Sequence, residues 1–460
     1  MNSTAFKYFE RSCVSLAYTL LMSISLQAAN SVTHNGVTVH FTPDRTIGYW
    51  ANGEPYISGG SITVSGIDKP NFPEGSGGAV GGAMINPLVG ETRQGFCPRD
   101  TWDATAHYYD QRLDVSLRYP FNVTEGESLV VARAIGEGHE DEGGAYSAYI
   151  DSIVGFLVLP TDPPAGSFRP SLYGKNHAVR YNMSEIDWSV LKNLPPVPAT
   201  PSQAFMEHPA RQPKLPWWEW TKEWTGTFIR PLENCGTGNG AAYRSQYGRE
   251  VAQKWGVVAL WLNTANTKKV KEKTMVYTIQ AGLDLIGYFE NGGTLIASGG
   301  HQVGRKFPVL LAAAALKKEE LVKYASSPGW VVEDLCTFYV KESDVGRTVE
   351  GGQVASYMQA DVGQPEWGID HSWNPFKDDR RWEDGIPYRF VQWPAMSGQI
   401  IAAEIMGLKS LWGHPAIFDY NAKFIAKRGL IPNSFEDQML KRYGKNLNIT
   451  SSPQGVKITK

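Results

Sequence analysis

The sequence predicts an α+β, multidomain chain: an N-terminal antiparallel β-sandwich over residues 30–160, then a helical domain of the (α/α) toroid type over residues 217–460. Two changes of pattern along the 460 residues predict it. Up to residue 160, apolar and polar residues alternate in short runs between turns rich in Gly, Pro and Asp, the signature of half-buried strands. From residue 240 onward apolar residues recur at helical spacing instead, as helix faces require. Residues 161–216 separate the two with a run of prolines, seven of them between Pro195 and Pro216, and read as an extended connector.

Residues 1–29 read as a secretory signal peptide. Lys7 and Arg11 make a positive start, Val14 to Leu26 an apolar middle, and Ala28 and Ala29 a small-residue cleavage region, the three zones of such a segment. The apolar run is shorter than the roughly 20 residues of a membrane span and is diluted by serines, although an uncleaved anchor is the alternative. The expectation is a secreted or periplasmic protein with no membrane span.

In the β region, His34-Asn35-Gly36 marks a turn before the alternating Val37-Thr38-Val39-His40-Phe41, a hairpin signal. Leu113, Val115 and Leu117 alternate with polar residues and predict a strand, as do Ser128 to Ile135 and Ile150 to Leu159. The glycines of 75–82 lack a following Gly-Lys-Ser/Thr and are a turn, not a phosphate loop. In the connector, one short helical turn is expected near Ile186 to Leu194.

In the helical region, Tyr243, Tyr247, Val251, Trp255 and Leu262 fall near one face of a first helix. Met275, Ile279, Leu283 and Ile286 mark a second, stopped by Asn291-Gly292-Gly293. A third is expected from Lys306 to Tyr324 with Pro308 in its first turn, where proline is tolerated. Residues 397–411 and 415–428 make a further pair. Hairpins of this kind, with their loops gathered at one end, describe a toroid. Residues 331–390 are irregular and polar, and a long loop in a compact domain is usually functional.

Composition excludes several classes. The formal net charge is −2, so no basic field recruits nucleic acid. Beyond Cys13, only Cys97, Cys235 and Cys336 remain, which permits one internal disulfide at most. No HExxH, paired CxxC or Gly-x-Ser-x-Gly occurs, which argues against the familiar zinc-peptidase and esterase signatures. Gly138 to Glu142 is acidic enough to attract Ca²⁺, but a solvated loop explains it equally. Neither a cofactor nor a metal is expected.

Two segments carry the chemistry. Ser298 to Lys306 contains Gly299-Gly300-His301 and Gly304-Arg305-Lys306 between two helices. Arg305 and Lys306 stand at a helix start, where free N–H groups and the dipole favour an anion. The second segment runs from Tyr357 through Glu366-Trp367 and Asp370-His371 to Trp393. It combines carboxylates, a histidine, arginines, Tyr388 and the tryptophans 367, 373, 382 and 393, the mixture an active-site rim needs. Thirteen of the 15 tryptophans lie between Trp188 and Trp412; they serve packing or sugar stacking. Tyr247 is a further candidate on the first long helix.

The order of signal peptide, β module, proline-rich connector and helical hairpins resembles secreted bacterial polysaccharide-degrading enzymes with an α/α toroid, the heparinase-like and alginate-lyase-like group. Asn291-Gly292-Gly293, Gly299 to Pro308 and Leu408 to Tyr420 carry the likeness, over the last half of the chain. In those families the β module usually follows the toroid, whereas here it precedes it. The resemblance implies β-elimination on a uronate-containing polysaccharide, the expected partner. That reaction needs a neutraliser for the C5 carboxylate, a base and an acid. On this reading Arg305 neutralises, with His301 or Arg389 assisting; His371 or His301 is the base; and Tyr388 or Tyr247 serves the leaving side. Lys306, Arg389, Asp370, Trp367, Trp373 and Trp393 line the substrate path, and Glu366 is the nearest catalytic carboxylate. A glycoside hydrolase is the alternative, with two carboxylates drawn from Asp361, Glu366, Asp370, Asp384 and Glu404, as is a non-catalytic glycan-binding protein.

Overall fold

The computed structural model describes residues 28–69, 81–89, 94–96, 110–134, 150–207, 248–295, 302–346, 357–368 and 388–444. The N-terminal region is a single mixed sheet rather than two stacked ones. Its strands are β1 (Ala28–His34), β2 (Val37–Tyr49), β3 (Pro55–Ser58), β4 (Ile62–Asp68), β5 (Ala83–Ile85), β6 (Phe121–Val123), β7 (Ser128–Ala134) and β8 (Ile150–Leu159). They run in the order β5-β7-β8-β3-β2-β4-β6, with β1 beside β2. All pairs are antiparallel except β3 with β8, where Ile57 faces Val158.

The expected antiparallel sandwich is therefore corrected to a nearly closed mixed barrel. The long strand β2 is the physical reason. Its first half pairs with β4, its second half with β3, and β1 runs beside both, with a register shift between His40 and Phe41 in the pairing with β4. Such a bulge bends a strand and sharpens its twist, so the sheet curls instead of splitting.

Val39, Phe41, Ile57, Val64, Leu129, Val131, Val154, Phe156 and Val158 fill the barrel. The alternate residues Val130, Ala132, Ile153, Leu157 and Leu159 point the other way, into the helical layer. Residues 153–159 are nearly all apolar because both faces of β8 are covered, as in buried strands generally. The strand expected at Leu113 to Leu117 is instead a 3-10 turn over Val115–Leu117, capped by the Asp114 carboxylate on the Ser116 N–H. Leu113 and Leu117 are exposed. The alternation of leucine and valine with polar residues therefore marks no buried face here.

Among the described residues there are ten helices: α1 (Gln203–Glu207), α2 (Gly248–Leu262), α3 (Lys268–Glu290), α4 (Lys306–Leu316), α5 (Glu319–Ser326), α6 (Val332–Leu335), α7 (Tyr388–Met406), α8 (Lys409–Trp412), α9 (Pro415–Arg428) and α10 (Phe435–Tyr443). The helix expected from Lys306 to Tyr324 breaks at Lys317, which is left-handed with φ 53°. No toroid is shown among the described residues. Its expectation rested on consecutive hairpins, but α2 packs chiefly on α7, far along the chain. They approach closely because Gly256 and Gly398 meet: a Cβ on Gly398 would lie 2.9 Å from the Gly256 Cα. In sequence this contact reads as two ordinary glycines.

Barrel and helices share one continuous apolar cluster, from Trp50 and Ile153 to Trp255, Ile279 and Ile400. The connector stitches them. Arg169, fully buried, bonds Glu54 of the barrel side and takes Asp284 of α3 with both oxygens at 2.6 and 2.8 Å. Further along, Asp187 N–H reaches Ala315, Leu194 exchanges bonds with 263–265, and the Arg442 guanidinium donates to Pro196. The short turns in this stretch are Met183–Glu185 and Trp188–Val190, the second inside the expected Ile186 to Leu194. Among the described residues no helix is long and apolar enough to cross a membrane.

Candidate functional site

The start of α4 is occupied from within the protein. Glu333 of α6 is buried, and its Oε1 accepts the backbone N–H groups of Gly304, Arg305 and Lys306 at 2.9, 2.7 and 2.9 Å. Three orphan donors and the helix dipole call for an anion at this point, and a carboxylate 27 residues downstream supplies it. Burial pushes the Glu333 carboxyl up, opposed by the Lys306 backbone donor, and the net direction is up. Its Oε2 has no hydrogen-bond partner. Gly304 takes φ 87° and lies against Ala252 of α2, so the loop needs glycine there for both backbone and space.

The side chains of this loop also turn inward. Lys306 Nζ bonds Asp334 Oδ2 at 2.7 Å with both side chains fully buried, and Trp412 donates its indole N–H to the other Asp334 oxygen at 2.7 Å. Arg305 is buried and donates to the Val303 carbonyl at 2.5 Å.

The same short unit holds the second segment. Beyond α6, β9 (Thr337–Tyr339) pairs antiparallel with β10 (Pro365–Trp367), placing Glu366 opposite Phe338. Gly368 N–H closes onto Cys336 O at 2.8 Å. Glu366 then faces α7 and α9: Arg389 reaches one oxygen at 3.2 Å and Lys423 bonds the other. Arg389 also donates to the Tyr420 hydroxyl at 3.3 Å. Burial lowers the Arg389 guanidinium, but Tyr420 and Glu366 outweigh it and hold it above the usual arginine value. Trp393 stands edge-on to Tyr420 at 4.4 Å and donates to Asn421.

Residues 302–306 and 365–368 are thus attached to opposite ends of 333–339. Gln392, one turn past Arg389 on α7, is fully buried, and neither its amide oxygen nor its amide nitrogen has a partner. Sequence reasoning passed over Glu333 and Asp334, and it covered Tyr420 and Gln392 only within longer motifs, without giving either a role. Asp334 and Glu333 carried a signal in their adjacency to a buried Val-Val run, but nothing in sequence joins them to a loop so far upstream.

A second cluster lies at the other end of α7. Tyr339 donates its hydroxyl to Asp419, whose other oxygen is 3.9 Å from Lys409 Nζ. Burial, and secondarily the charge of Asp419, pushes the nearby Glu404 carboxyl up to about 7, against the pull of Lys409. Burial and then the bond to Asp419 push the Tyr339 hydroxyl well above its ordinary value. A carboxyl that keeps its proton near neutrality is an acid in waiting.

The expected site residues distribute as follows. Arg305, Lys306, Glu366, Trp367, Arg389 and Trp393 are buried in the contacts just given, with Trp367 2% exposed and Trp393 0%. Tyr388 opens α7. Tyr247, His301, Asp370, His371 and Trp373, with Asp384 of the hydrolase set, lie outside the described residues. So do residues 1–27; β1 begins at Ala28, and Ala28 and Ala29 pair with Thr46 and Arg45. Among the described residues no group of three or more His, Cys, Asp or Glu side chains is arranged to hold a metal ion. Comparison of the chain with protein-family models, curated proteins and solved structures finds no match.

Proposed function

We propose that the protein is an exported carbohydrate-active enzyme that cleaves an acidic, uronate-containing polysaccharide by β-elimination. The supporting observation is that 302–306 and 365–368, the described flanks of the two segments richest in chemistry, are both fastened to the single unit 333–339. That arrangement holds 302–306 and 365–368 at a fixed separation, as a preorganised site requires. Elimination needs the sugar carboxylate neutralised, the C5 proton removed and the leaving oxygen protonated. With the amides of 304–306 taken by Glu333, we place carboxylate recognition on the Arg389 side, His371 or His301 as base and Tyr388 or Tyr247 on the leaving side. Glu366, clasped by Arg389 and Lys423, orients the guanidinium rather than transferring a proton.

One observation favours a second reading. Glu404 holds its proton near neutrality beside Asp419, the division of labour a glycoside hydrolase draws from two carboxyls. Incubation with a panel of uronate-containing polymers separates the readings. Elimination gives products that absorb near the ultraviolet edge and lack the mass of one water; hydrolysis gives products with the water added and no absorbance. Unchanged polymer with retained binding identifies a glycan-binding protein and overturns both.

A further inference from the structure

We propose that Gln392 is a substrate-contacting residue whose side-chain amide binds the carboxyl or hydroxyl edge of the acidic sugar, one helical turn from Arg389. The inference rests on the acidic-sugar reading above. The Gln392 side chain is 0% exposed and both of its polar atoms lack a partner. An amide has two donor hydrogens and a carbonyl oxygen with two acceptor sites, so all of its bonding capacity is unused. Leaving one buried polar group unmatched costs roughly tenfold to a hundredfold in the folding equilibrium. Methionine fills almost the same volume without that cost, and α7 already carries Met396 one turn on. A buried helix that keeps glutamine here gives up stability, and proteins do so at functional sites.

A guanidinium stands one turn away. Arg389 precedes it by three residues, so the two side chains project from the same helix face. Arg389 in turn holds the Tyr420 hydroxyl and Glu366. Gln399, two turns further along, is also 0% exposed; its Oε1 is unpartnered and its Nε2 touches only the Met396 sulfur at 3.5 Å. The unmet capacity therefore lies along one side of α7, starting beside the guanidinium.

The test compares the full chain with its Gln392→Met variant in three measurements: the denaturant midpoint, the midpoint shift on adding glucuronate with glucose as control, and KM on a cleaved uronate polymer. We expect the variant to unfold at an equal or higher midpoint, to lose the glucuronate shift, and to show a KM raised by about tenfold or more. A variant that unfolds earlier overturns the inference, because the amide is then satisfied internally. A variant that keeps the wild-type shift and KM overturns it while leaving the acidic-sugar reading intact. A wild-type chain that neither shifts with glucuronate nor cleaves any uronate polymer overturns the reading itself, and this inference with it.

Discussion

Replacing Glu404 by Gln tests the second cluster through stability alone. The folded state raises this carboxyl from 4.5 to about 7, and each pKa unit corresponds to about 1.4 kcal/mol between protonation states. The full difference is about 3 kcal/mol, and partial exposure of the side chain reduces it to about 2 kcal/mol through solvent screening. The sign follows from linkage. Because the folded pKa lies above the unfolded one, the folded chain holds an extra proton between them, and stability falls as pH rises from 4.5 towards 7. The neutral amide removes that loss. Urea unfolding of wild type and Glu404→Gln at pH 4, 6 and 8 therefore yields near-equal stabilities at the lowest pH and a variant about 2 kcal/mol more stable at the highest. Asp419→Asn should shrink the difference, since the Asp419 charge helps raise Glu404. A wild-type-to-variant difference that is the same at all three pH values refutes the reasoning.

Three further substitutions address the scaffold. Glu333→Ala strands three buried N–H donors at the start of α4 and is expected to cost about 3–5 kcal/mol by denaturant unfolding; Glu333→Gln keeps an acceptor oxygen and should cost markedly less. Arg169→Met leaves Glu54 and Asp284 buried without their shared cation. A loss of about 3–5 kcal/mol is expected, recovered in large part when Glu54→Gln and Asp284→Asn are added, as read from the unfolding midpoints. Gly398→Ala drives a methyl into the Gly256 backbone and should cost about 1–3 kcal/mol, whereas Gly329→Ala, with open space around it, should change the midpoint little.

Local pattern was legible where one element decides its own shape. Runs rich in β-forming residues located β7 and β8, and the apolar spacing of Met275 to Ile286 located α3, which ends with Asn291 as its cap. Architecture was not, because it depends on pairs far apart in the chain. The parallel contact of Ile57 with Val158 joins β5, β7 and β8 to the rest of the sheet, and the Gly256–Gly398 crossing packs α2 chiefly on α7. The unit 333–339 escaped notice for a different reason. Its strand β9 and the partner strand β10 are three residues each, too short for any period to register, and 331–390 therefore read as irregular. Leu113 to Leu117 failed because the Asp114 side chain caps a 3-10 turn there, and such local side-chain bonds compete with a strand.

The anion expected at the start of α4 shows how sequence chemistry can identify a demand without identifying what meets it. Free N–H groups at residues 304–306 attract negative charge whatever its source, and two sources compete: a ligand arriving from solvent, or a carboxylate already in the chain. The internal one has the advantage of a high effective concentration and pays no association entropy. Glu333 prevails for that reason, and the same choice gives α6 its role. By binding 304–306 through Glu333 and Asp334 while its continuation pairs with 365–367, α6 makes the position of one segment depend on the other. Disturbing Glu333 should therefore displace Arg389 and Glu366 as well as the start of α4, so that Glu333→Gln lowers turnover on a uronate polymer by more than its stability loss explains.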